Sequence, residues 1–176
     1  YGRNILMNKN FKDLGISDIL ISALEKQSVN EPTEVQINTI PEILKNNNVI
    51  ARAETGSGKT LTYLLPIFMG IDTSLRSAQC IILTPTHELA VQVHRQAELL
   101  AQNSGMEIRS ALIIGNAGLQ RQLDKLKEKP QIIIGSSGRI YDLIQRKKIP
   151  AHTVKTIVVD EADRMLDKMN ADMVKA

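Results

Sequence analysis

Cysteine is almost absent from this chain, which has Cys80 as the only one among 176 residues. A single cysteine cannot form an internal disulfide, and its place in an apolar run, residues 80–83, predicts a buried core thiol rather than a reactive one. A reducing, cytoplasmic location is therefore expected. Long apolar runs are absent too, because the longest, residues 61–71, is far shorter than the roughly 20 residues of a membrane helix. No membrane partner is expected.

The chain also lacks repeats, low-complexity segments and a strong charge imbalance. Its 22 basic and 19 acidic residues leave a formal net charge of +3, which alone does not indicate a nucleic-acid binder. The length suits one domain with a sizeable core. Residues 1–6 lack the pattern of a signal peptide. From position alone, Met7 is the candidate natural start, with residues 1–6 a remnant of an expression vector.

Short apolar segments alternate with helical patterns along the chain. Such strands are buried on both faces, as in a parallel sheet covered by helices. The fold class predicted is therefore α/β, a doubly wound, mostly parallel sheet with helices on both faces and ligands at the carboxyl ends of the strands. Strands are predicted at residues 49–51, 80–84, 109–114, 132–134 and 156–159. Helices are predicted to follow Ser17, to open at Pro32-Thr33 and Lys59, to run from Thr86 through Leu100, and to span 118–127.

Residues 53–60 read Ala-Glu-Thr-Gly-Ser-Gly-Lys-Thr, the pattern of a phosphate-binding loop with alanine at the usual first glycine. Glycines let the backbone amides turn inward around phosphate oxygens, helped by the helix amino terminus that follows. Lys59 is predicted to reach the β- and γ-phosphates as a catalytic group, and the Thr60 hydroxyl to ligate Mg²⁺. The predicted ATP-binding residues of the loop are Thr55, Gly56, Ser57, Gly58, Lys59 and Thr60.

A second acidic motif follows the last predicted strand, with Asp160, Glu161 and Asp163 in the run Asp-Glu-Ala-Asp. Asp160 can hold Mg²⁺ through water, and Glu161 can orient and deprotonate an attacking water. An acidic helix amino terminus is the plainer interpretation, since carboxylates favour that end of the helix dipole. The phosphate-binding loop earlier in the chain favours the catalytic interpretation.

Asp-Glu-Ala-Asp is the signature of the DEAD-box helicases, and the chain resembles their first RecA-like domain from residue 11 to residue 167. The resemblance implies an ATP-dependent RNA helicase that uses ATP and Mg²⁺. It divides the chain into an amino-terminal extension, residues 1–10, and a RecA-like P-loop domain, residues 11–176, incomplete after the acidic motif. It also assigns adenine recognition to the motif around Gln36, with Phe11 stacking on the base and Pro32 and Thr33 beside it. Without the family, Gln36 would be interpreted as a surface side chain and Phe11 as core.

The residues that the resemblance assigns to RNA are Pro85, Thr86, His87, Gly115, Gly138 and Arg139. Three departures from the family pattern fall on this side: His87 replaces an arginine, Asn116 replaces a glycine, and Ser136-Ser137 replaces a Thr-Pro pair, so the proline that stiffens the family's loop is missing. Either the departures weaken the grip on the RNA backbone or they are drift at tolerant positions. The basic runs 125–129 and 146–148 are solvated helix ends or, less expectedly, RNA patches.

The family mechanism also needs a carboxyl-terminal RecA-like domain with arginine fingers, and a Ser-Ala-Thr motif that contacts the position of Asp163. Neither occurs within these residues, so we expect a monomeric fragment that binds adenine nucleotide, hydrolyses it slowly at most and does not unwind RNA. The alternative from another class is a non-catalytic RNA- or protein-binding module. A DNA helicase of a neighbouring family is disfavoured by Gln36, Phe11 and the spelling of the acidic motif.

Overall fold

A computed structural model describes residues 9–54, 56–115 and 118–166. Several predictions concern positions outside these ranges: the vector remnant and the start at Met7, the loop residue Thr55, the departure at Asn116, and the end of the resemblance at residue 167. No helix in the described part of the chain is both long enough and apolar enough to cross a membrane.

The described residues form seven α-helices, four strands and one 3₁₀ turn. The helices are α1 (Asp18–Glu25), α2 (Glu34–Leu44), α3 (Lys59–Gly70), α4 (His87–Ser104), α5 (Leu119–Lys127), α6 (Ser137–Gln145) and α7 (Ala162–Met165). The strands are β1 (Cys80–Leu83), β2 (Ser110–Ile113), β3 (Ile132–Gly135) and β4 (Thr156–Val159), and the 3₁₀ turn is Ala151–Thr153.

The four strands make one sheet in the order β2-β3-β1-β4, and every pairing is parallel. β1 and β3 lie at the centre and are buried at all four positions. Isoleucine supplies most of these side chains, as expected for strands covered on both faces. The predicted α/β fold with a parallel sheet is confirmed, and all carboxyl ends of the strands therefore lie at one edge.

The chain forms two compact units. The first comprises the chain up to Gly70 together with Leu99–Gly105, and the second comprises Ile71–Glu98 and the chain from Met106 onward. In the first unit α2 packs against α3. Its fully buried side chains include Leu20, Leu24, Ile40, Leu64 and Phe68. The prediction that residues 11–176 are one domain stays a prediction.

The second unit contains the sheet and its own apolar core. That core joins strand residues such as Ile81, Ile113 and Ile133 to Leu143 of α6 and Met165 of α7. The amphipathic helix α5 packs three leucines against the same core, which matches its predicted position: Leu119, Leu123 and Leu126. Cys80 is 1% exposed, and burial raises the pKa of its thiol to about 12, which confirms the predicted buried thiol.

The strand predicted at residues 49–51 is wrong. These residues belong to no strand, Val49 is 38% exposed and Ile50 is completely exposed. A strand is stabilised by hydrogen bonds to a neighbouring strand and by burial of its side chains. Within the described part of the chain, residues 49–51 have neither, and three apolar residues without a partner remain extended coil.

The loop predicted at Ser136-Ser137-Gly138-Arg139 is also wrong, because Ser137, Gly138 and Arg139 form the first turn of α6. Ile140, Leu143 and Ile144 follow at the spacing of an amphipathic helix, and the first two are buried. In α1, Ile19 is half exposed, whereas the neighbouring Leu20 is fully buried. It lies about 100° around the helix from Leu20, at the margin of the buried stripe.

Candidate functional site

The phosphate-binding loop enters α3 through two glycines with positive φ, 82° at Gly56 and 85° at Gly58. Residues with a Cβ resist this left-handed region, so glycine is the favoured residue at both positions. The Ser57 hydroxyl donates to the carbonyl oxygen of Glu54 at 2.6 Å and closes the turn. Helix α3 then begins at Lys59, as predicted, and its first amide N–H groups have no partner within the helix. Such a terminus attracts anions.

Lys59 and Thr60 carry the side chains that the loop offers to a ligand. Both are partly exposed, and neither forms a hydrogen bond or an ion pair with a described residue. Since no described residue occupies this ammonium and this hydroxyl, they can receive a phosphate and a hydrated cation beside helix amides that lack a partner within the helix.

Gln36 supports the loop directly. Its Nε2 donates to the carbonyl oxygen of Gly58 at 3.1 Å, and its Oε1 accepts the amide N–H of Thr33 at 2.9 Å. The second bond belongs to a capping box that opens α2. The Gly58 carbonyl also accepts from the amide and the hydroxyl of Thr62, at 3.2 and 3.0 Å. The predicted adenine-reading residue is therefore joined to the predicted phosphate-binding residue.

The fit between these elements leaves no space at Gly58. A Cβ at this position would lie 2.6 Å from Nε2 of Gln36 and 3.3 Å from the side chain of Thr33. Pro32, which precedes the capping box, is partly exposed. The sequence does not predict this contact with Gln36 and Thr33. Its only related signal is the glycine at residue 58.

The two residues predicted to contact adenine are almost fully buried: Gln36 is 1% exposed and Phe11 is 2% exposed. A carboxamide has two N–H groups and two acceptor lone pairs, so each end of Gln36 keeps one capacity beyond its protein bond. Stacking on a base would require a face of the Phe11 ring to become accessible. The adenine-recognition roles of both residues stay predictions.

The acidic motif begins where β4 ends. Asp160 is 8% exposed; its amide N–H donates to the carbonyl of Leu83, and its Oδ1 accepts the amide N–H of Glu161 at 2.9 Å. Glu161 has φ 48° and ψ 53°, a left-handed conformation that costs a non-glycine residue about 1–2 kcal/mol. Backbone strain of this kind concentrates at functional sites. Nothing in the spelling of the motif signals this conformation.

The carboxylates of Glu161 and Asp163 lie in different surroundings. Glu161 precedes α7 and pairs with Arg164 at 2.9 Å, whereas Asp163 is exposed on the first turn of the helix. A pair this open to solvent is weak, so Glu161 can exchange Arg164 for another partner at small cost. The oxygen atoms of Asp160 and Thr60 are the ligand type that Mg²⁺ prefers. The residues present are thus chemically suited to the predicted cation.

In the second unit, three residues that were predicted to contact RNA lie close together. Arg139 Nη2 donates to the carbonyl oxygen of Gly115 at 2.9 Å. The imidazole of His87 lies beside the same glycine, since a Cβ built on Gly115 would be 3.7 Å from His87 Nε2. These residues follow three different strands, β1, β2 and β3, whose carboxyl ends share one edge of the sheet.

Thr86 has a structural role that the sequence prediction did not separate from RNA contact. Its hydroxyl accepts the amide N–H of Leu89 at 3.1 Å and caps α4, while its carbonyl accepts the Thr84 hydroxyl at 3.1 Å. Pro85 between them is partly exposed. Gly138, in the first turn of α6, is partly exposed as well. The amino-terminal turns of α4 and α6 therefore supply backbone N–H groups at the edge that carries His87.

Similar curated proteins include DEAD-box ATP-dependent RNA helicases. The chain is 42% identical over 157 residues to the DEAD-box ATP-dependent RNA helicase CshB of Listeria monocytogenes, covering 89% of this chain and 36% of the relative. It is 45% identical over 147 residues to the DEAD-box ATP-dependent RNA helicase CshC of Bacillus cereus, covering 84% of this chain and 37% of that relative. The chain thus spans little more than a third of the length of these relatives.

Solved structures agree with the fold. A DEAD box protein from the hyperthermophile Methanococcus jannaschii matches with a TM-score of 0.87 and 34% identity, over 94% of this chain and 45% of that one. S. cerevisiae Dbp5 bound to RNA and ADP BeF3 matches with a TM-score of 0.82 and 29% identity, over 95% and 43% of the two chains.

The family profile described as DEAD/DEAH box helicase matches residues 33–176. That match includes the phosphate-binding loop at Gly58 and Lys59, the acidic motif at Asp160, and the cluster around Gly115. The chain belongs to the DEAD/DEAH box helicase family.

Proposed function

We propose that this chain is the ATP-binding part of an ATP-dependent RNA helicase, that it binds adenine nucleotide, and that it does not unwind RNA alone. The observation that carries the proposal is the Gln36–Gly58 hydrogen bond, which joins the adenine motif to a loop whose Lys59 and Thr60 side chains are unengaged among the described residues. Relatives named ATP-dependent RNA helicases support the same assignment.

In the proposed mechanism the amides of the loop and of the first turn of α3 bind the phosphates, and Lys59 neutralises the β- and γ-phosphate oxygens. Glu161 orients the attacking water and accepts its proton. Thr60 and Asp160 would hold Mg²⁺, partly through water, and the ion would neutralise charge on the phosphates. Asp163 is proposed to couple the site to a carboxyl-terminal RecA-like domain.

RNA would bind along the edge where Arg139, His87 and Gly115 meet. A guanidinium can grip a phosphate with two hydrogen bonds, and helix amino termini add N–H donors. Such contacts reach the sugar-phosphate backbone and carry no base information, so sequence preference is not expected from this surface. The fold match to S. cerevisiae Dbp5, in a structure with bound RNA and ADP BeF3, supports this proposal.

Nucleotide binding is testable on the 176-residue chain by isothermal titration with ATP, ADP and GTP. We expect adenine nucleotides to bind and GTP to bind at least about tenfold more weakly, because guanine reverses the donor and acceptor that Gln36 would meet. Lys59→Ala should abolish ATP binding, whereas Lys12→Ala, an exposed lysine on the same unit, should not. Equal affinity of the Lys59→Ala chain would contradict the proposed site.

Steady ATP hydrolysis by this chain alone should be slow or undetectable, because an arginine finger from another domain is worth about 10³- to 10⁵-fold in phosphoryl transfer. In the full-length protein, single-stranded RNA should stimulate hydrolysis and matched DNA should not. ATP binding with no RNA stimulation would favour the second candidate, a clamp or scaffold without helicase activity. The departures at His87, Asn116 and Ser136-Ser137 are the observation that favours it. We also propose a reducing, cytoplasmic location, which suits the buried thiol of Cys80.

A further inference from the structure

Two basic runs that are separate in the sequence meet at one cleft in the second unit. The first run ends α5 and supplies Lys127 and Lys129; the second ends α6 and supplies Lys147 and Lys148. Arg76, just before β1, completes the rim of a cleft of about 820 Å³, which we name the basic cleft. About twenty residues of chain separate the two runs, and no local sequence pattern indicates that they meet.

The floor of the basic cleft is apolar. Leu123 and Leu126 of α5 line it together with Pro130 and Ile133, and Ala78 and Pro150 lie beside them. The two leucines are only partly buried, although they pack against the core of this unit. An apolar floor inside a cationic rim is the arrangement expected for a ligand that offers both apolar and anionic groups.

Most of the positive charge at the rim is not neutralised by the protein. Lys127 pairs with Asp124 at 2.8 Å. In contrast, Arg76, Lys129, Lys147 and Lys148 form no ion pair with any carboxylate in the described part of the chain, and no carboxylate lines the cleft. Four exposed cations around one cleft repel each other, and an anionic partner relieves that repulsion.

Two of these lysines occupy backbone positions that normally favour glycine. Lys129 has φ 54° and Lys147 has φ 56°, each just after the carboxyl end of a helix. Their amide N–H groups form hydrogen bonds that are usual at a helix carboxyl end. Lys129 N donates to Leu126 O at 3.0 Å, and Lys147 N donates to Ile144 O at 2.9 Å. Glycine would form the same termini without strain. Ser28 and Asn46 have the same conformation just after α1 and α2, so the backbone at Lys129 and Lys147 does not itself require lysine.

The basic cleft lies at the amino ends of the strands, whereas the residues predicted to contact RNA and the acidic motif lie at their carboxyl ends. Its residues Ala78, Pro130 and Thr153 precede β1, β3 and β4, whereas His87, Gly115 and Asp160 follow strand carboxyl ends. A ligand in the cleft would leave the edge proposed for RNA accessible. The cleft is thus independent of the proposed helicase function.

We propose that the basic cleft binds an acidic, amphipathic peptide segment of a partner protein, with aliphatic side chains on its leucine floor and carboxylates facing Arg76, Lys129 and Lys148. RNA is the less suitable occupant, because single-stranded nucleic acid sites combine cations with aromatic rings for base stacking, and no aromatic residue lines this cleft. Exposed ion pairs are individually weak, so the apolar contact has to contribute a substantial part of the affinity.

The test uses the full 176-residue chain and a fluorescein-labelled peptide of about twelve residues that alternates glutamate with leucine. Fluorescence anisotropy at low salt measures its dissociation constant. Matched probes replace every leucine by serine, or every glutamate by glutamine, and a single-stranded RNA of equal charge is the fourth probe. The double variant Lys129→Glu/Lys148→Glu removes two rim charges. Arg95→Glu/Arg121→Glu, at exposed residues of the same unit outside the cleft, gives the same change in net charge.

We expect the glutamate–leucine peptide to bind most tightly, the serine and glutamine probes at least about tenfold more weakly, and rising salt to weaken binding. The lysine double variant should lose about tenfold or more, and the arginine control less than about threefold. Equal losses for both double variants, or tighter binding of RNA or the serine probe, would overturn the proposal. If the double variant unfolds in a thermal scan, Lys148→Gln and Arg76→Gln replace it, and unchanged binding by both has the same meaning.

Discussion

The side-chain amide of Gln36 lies 3.1 Å from the carbonyl oxygen of Gly58 and donates a hydrogen bond to it. One residue belongs to the motif assigned to adenine and the other to the loop assigned to phosphate. Gln36 is 1% exposed, and its Nε2 atom would lie only 2.6 Å from a Cβ at Gly58. The position of the phosphate-binding loop therefore depends on the motif that precedes it by about twenty residues.

Gly58→Ala should destabilise the chain more than a positive φ alone explains. Both Gly58 and Gly56 have φ above 80°, so alanine at either position costs about 1 kcal/mol of strain. At Gly58 the new Cβ would also lie 2.6 Å from Nε2 at the end of the Gln36 side chain. Gln36 would have to move and lose its hydrogen bonds to Thr33 and Gly58, each worth about 0.5–1.5 kcal/mol.

Gly56→Ala is the matched control, because a Cβ there would have no heavy atom within 4 Å. Chemical denaturation of the two variants should separate them by at least about 1 kcal/mol in the free energy of unfolding. Equal losses would mean that Gln36 moves aside without cost, and the link between the two motifs would be weak.

The parallel sheet was predictable because its strands carry a strong local signal. Runs such as Ile132, Ile133 and Ile134 are too apolar and too β-branched for an exposed helix. The edge at which functional residues meet then follows from the parallel arrangement. Residues 49–51 carry a similar signal but form no strand, since no sequence pattern tells which apolar run finds a pairing partner.

The first turn of α6 was missed for a different reason. The resemblance implies a loop at residues 136–139, although Ile140, Leu143 and Ile144 after it have helical spacing. Burial of Ile140 and Leu143, with Ile144 packed against the same core, outweighs the poor helix propensity of the first turn. The left-handed backbone of Glu161 and the Gln36–Gly58 bond are long-range or strained features, for which no local pattern exists.

Gly135→Ala should be one of the most damaging single substitutions in the sheet. Gly135 ends β3 between Leu83 of β1 and Ile113 of β2. A Cβ at this position would overlap the carbonyl oxygen of Ile113, and a strand at the centre of a sheet cannot shift to relieve the overlap. We expect a loss of about 3 kcal/mol or more in the free energy of unfolding, measured by urea denaturation.

Gly118→Ala provides the comparison for that measurement. Gly118 precedes α5 with φ −54°, and a Cβ there would meet no heavy atom of the described residues within 4 Å. Its substitution should change the free energy of unfolding by less than about 1 kcal/mol. A small loss at Gly135 as well would indicate that the end of β3 is not held in the register described here.

His94 should make the folded chain less stable at acidic pH. Burial of the imidazole lowers its pKa below the usual value of 6.5; the carboxylate of Glu98 opposes this shift and Lys125 adds to it. The folded chain therefore binds fewer protons than the unfolded chain between the two pKa values. Stability is full above about pH 6.5 and falls as the pH drops toward the lowered folded pKa.

The measurement is the thermal unfolding temperature between about pH 8 and pH 5, for the native chain and for His94→Gln. Glutamine can still hydrogen-bond to the Ser110 hydroxyl, which lies 3.0 Å from Nδ1, but it does not titrate. The native chain should lose more stability than the variant below about pH 6.5. Parallel curves for the two proteins would show that another group is responsible.

His87→Arg should strengthen RNA binding by the full-length protein. The imidazole lies beside Gly115, whose carbonyl already accepts from Arg139, so a guanidinium at residue 87 would place a second permanent cation at the same phosphate-binding edge. One additional phosphate contact on a single strand steepens the dependence of log K on log salt concentration by about 0.7. Arg95→Lys, which conserves charge away from this edge, should leave that slope unchanged. A steeper slope with higher affinity would mean that His87 weakens the binding of RNA. An unchanged slope would mean that His87 is neutral drift, and Ser137 in the first turn of α6 would then be the next residue to replace.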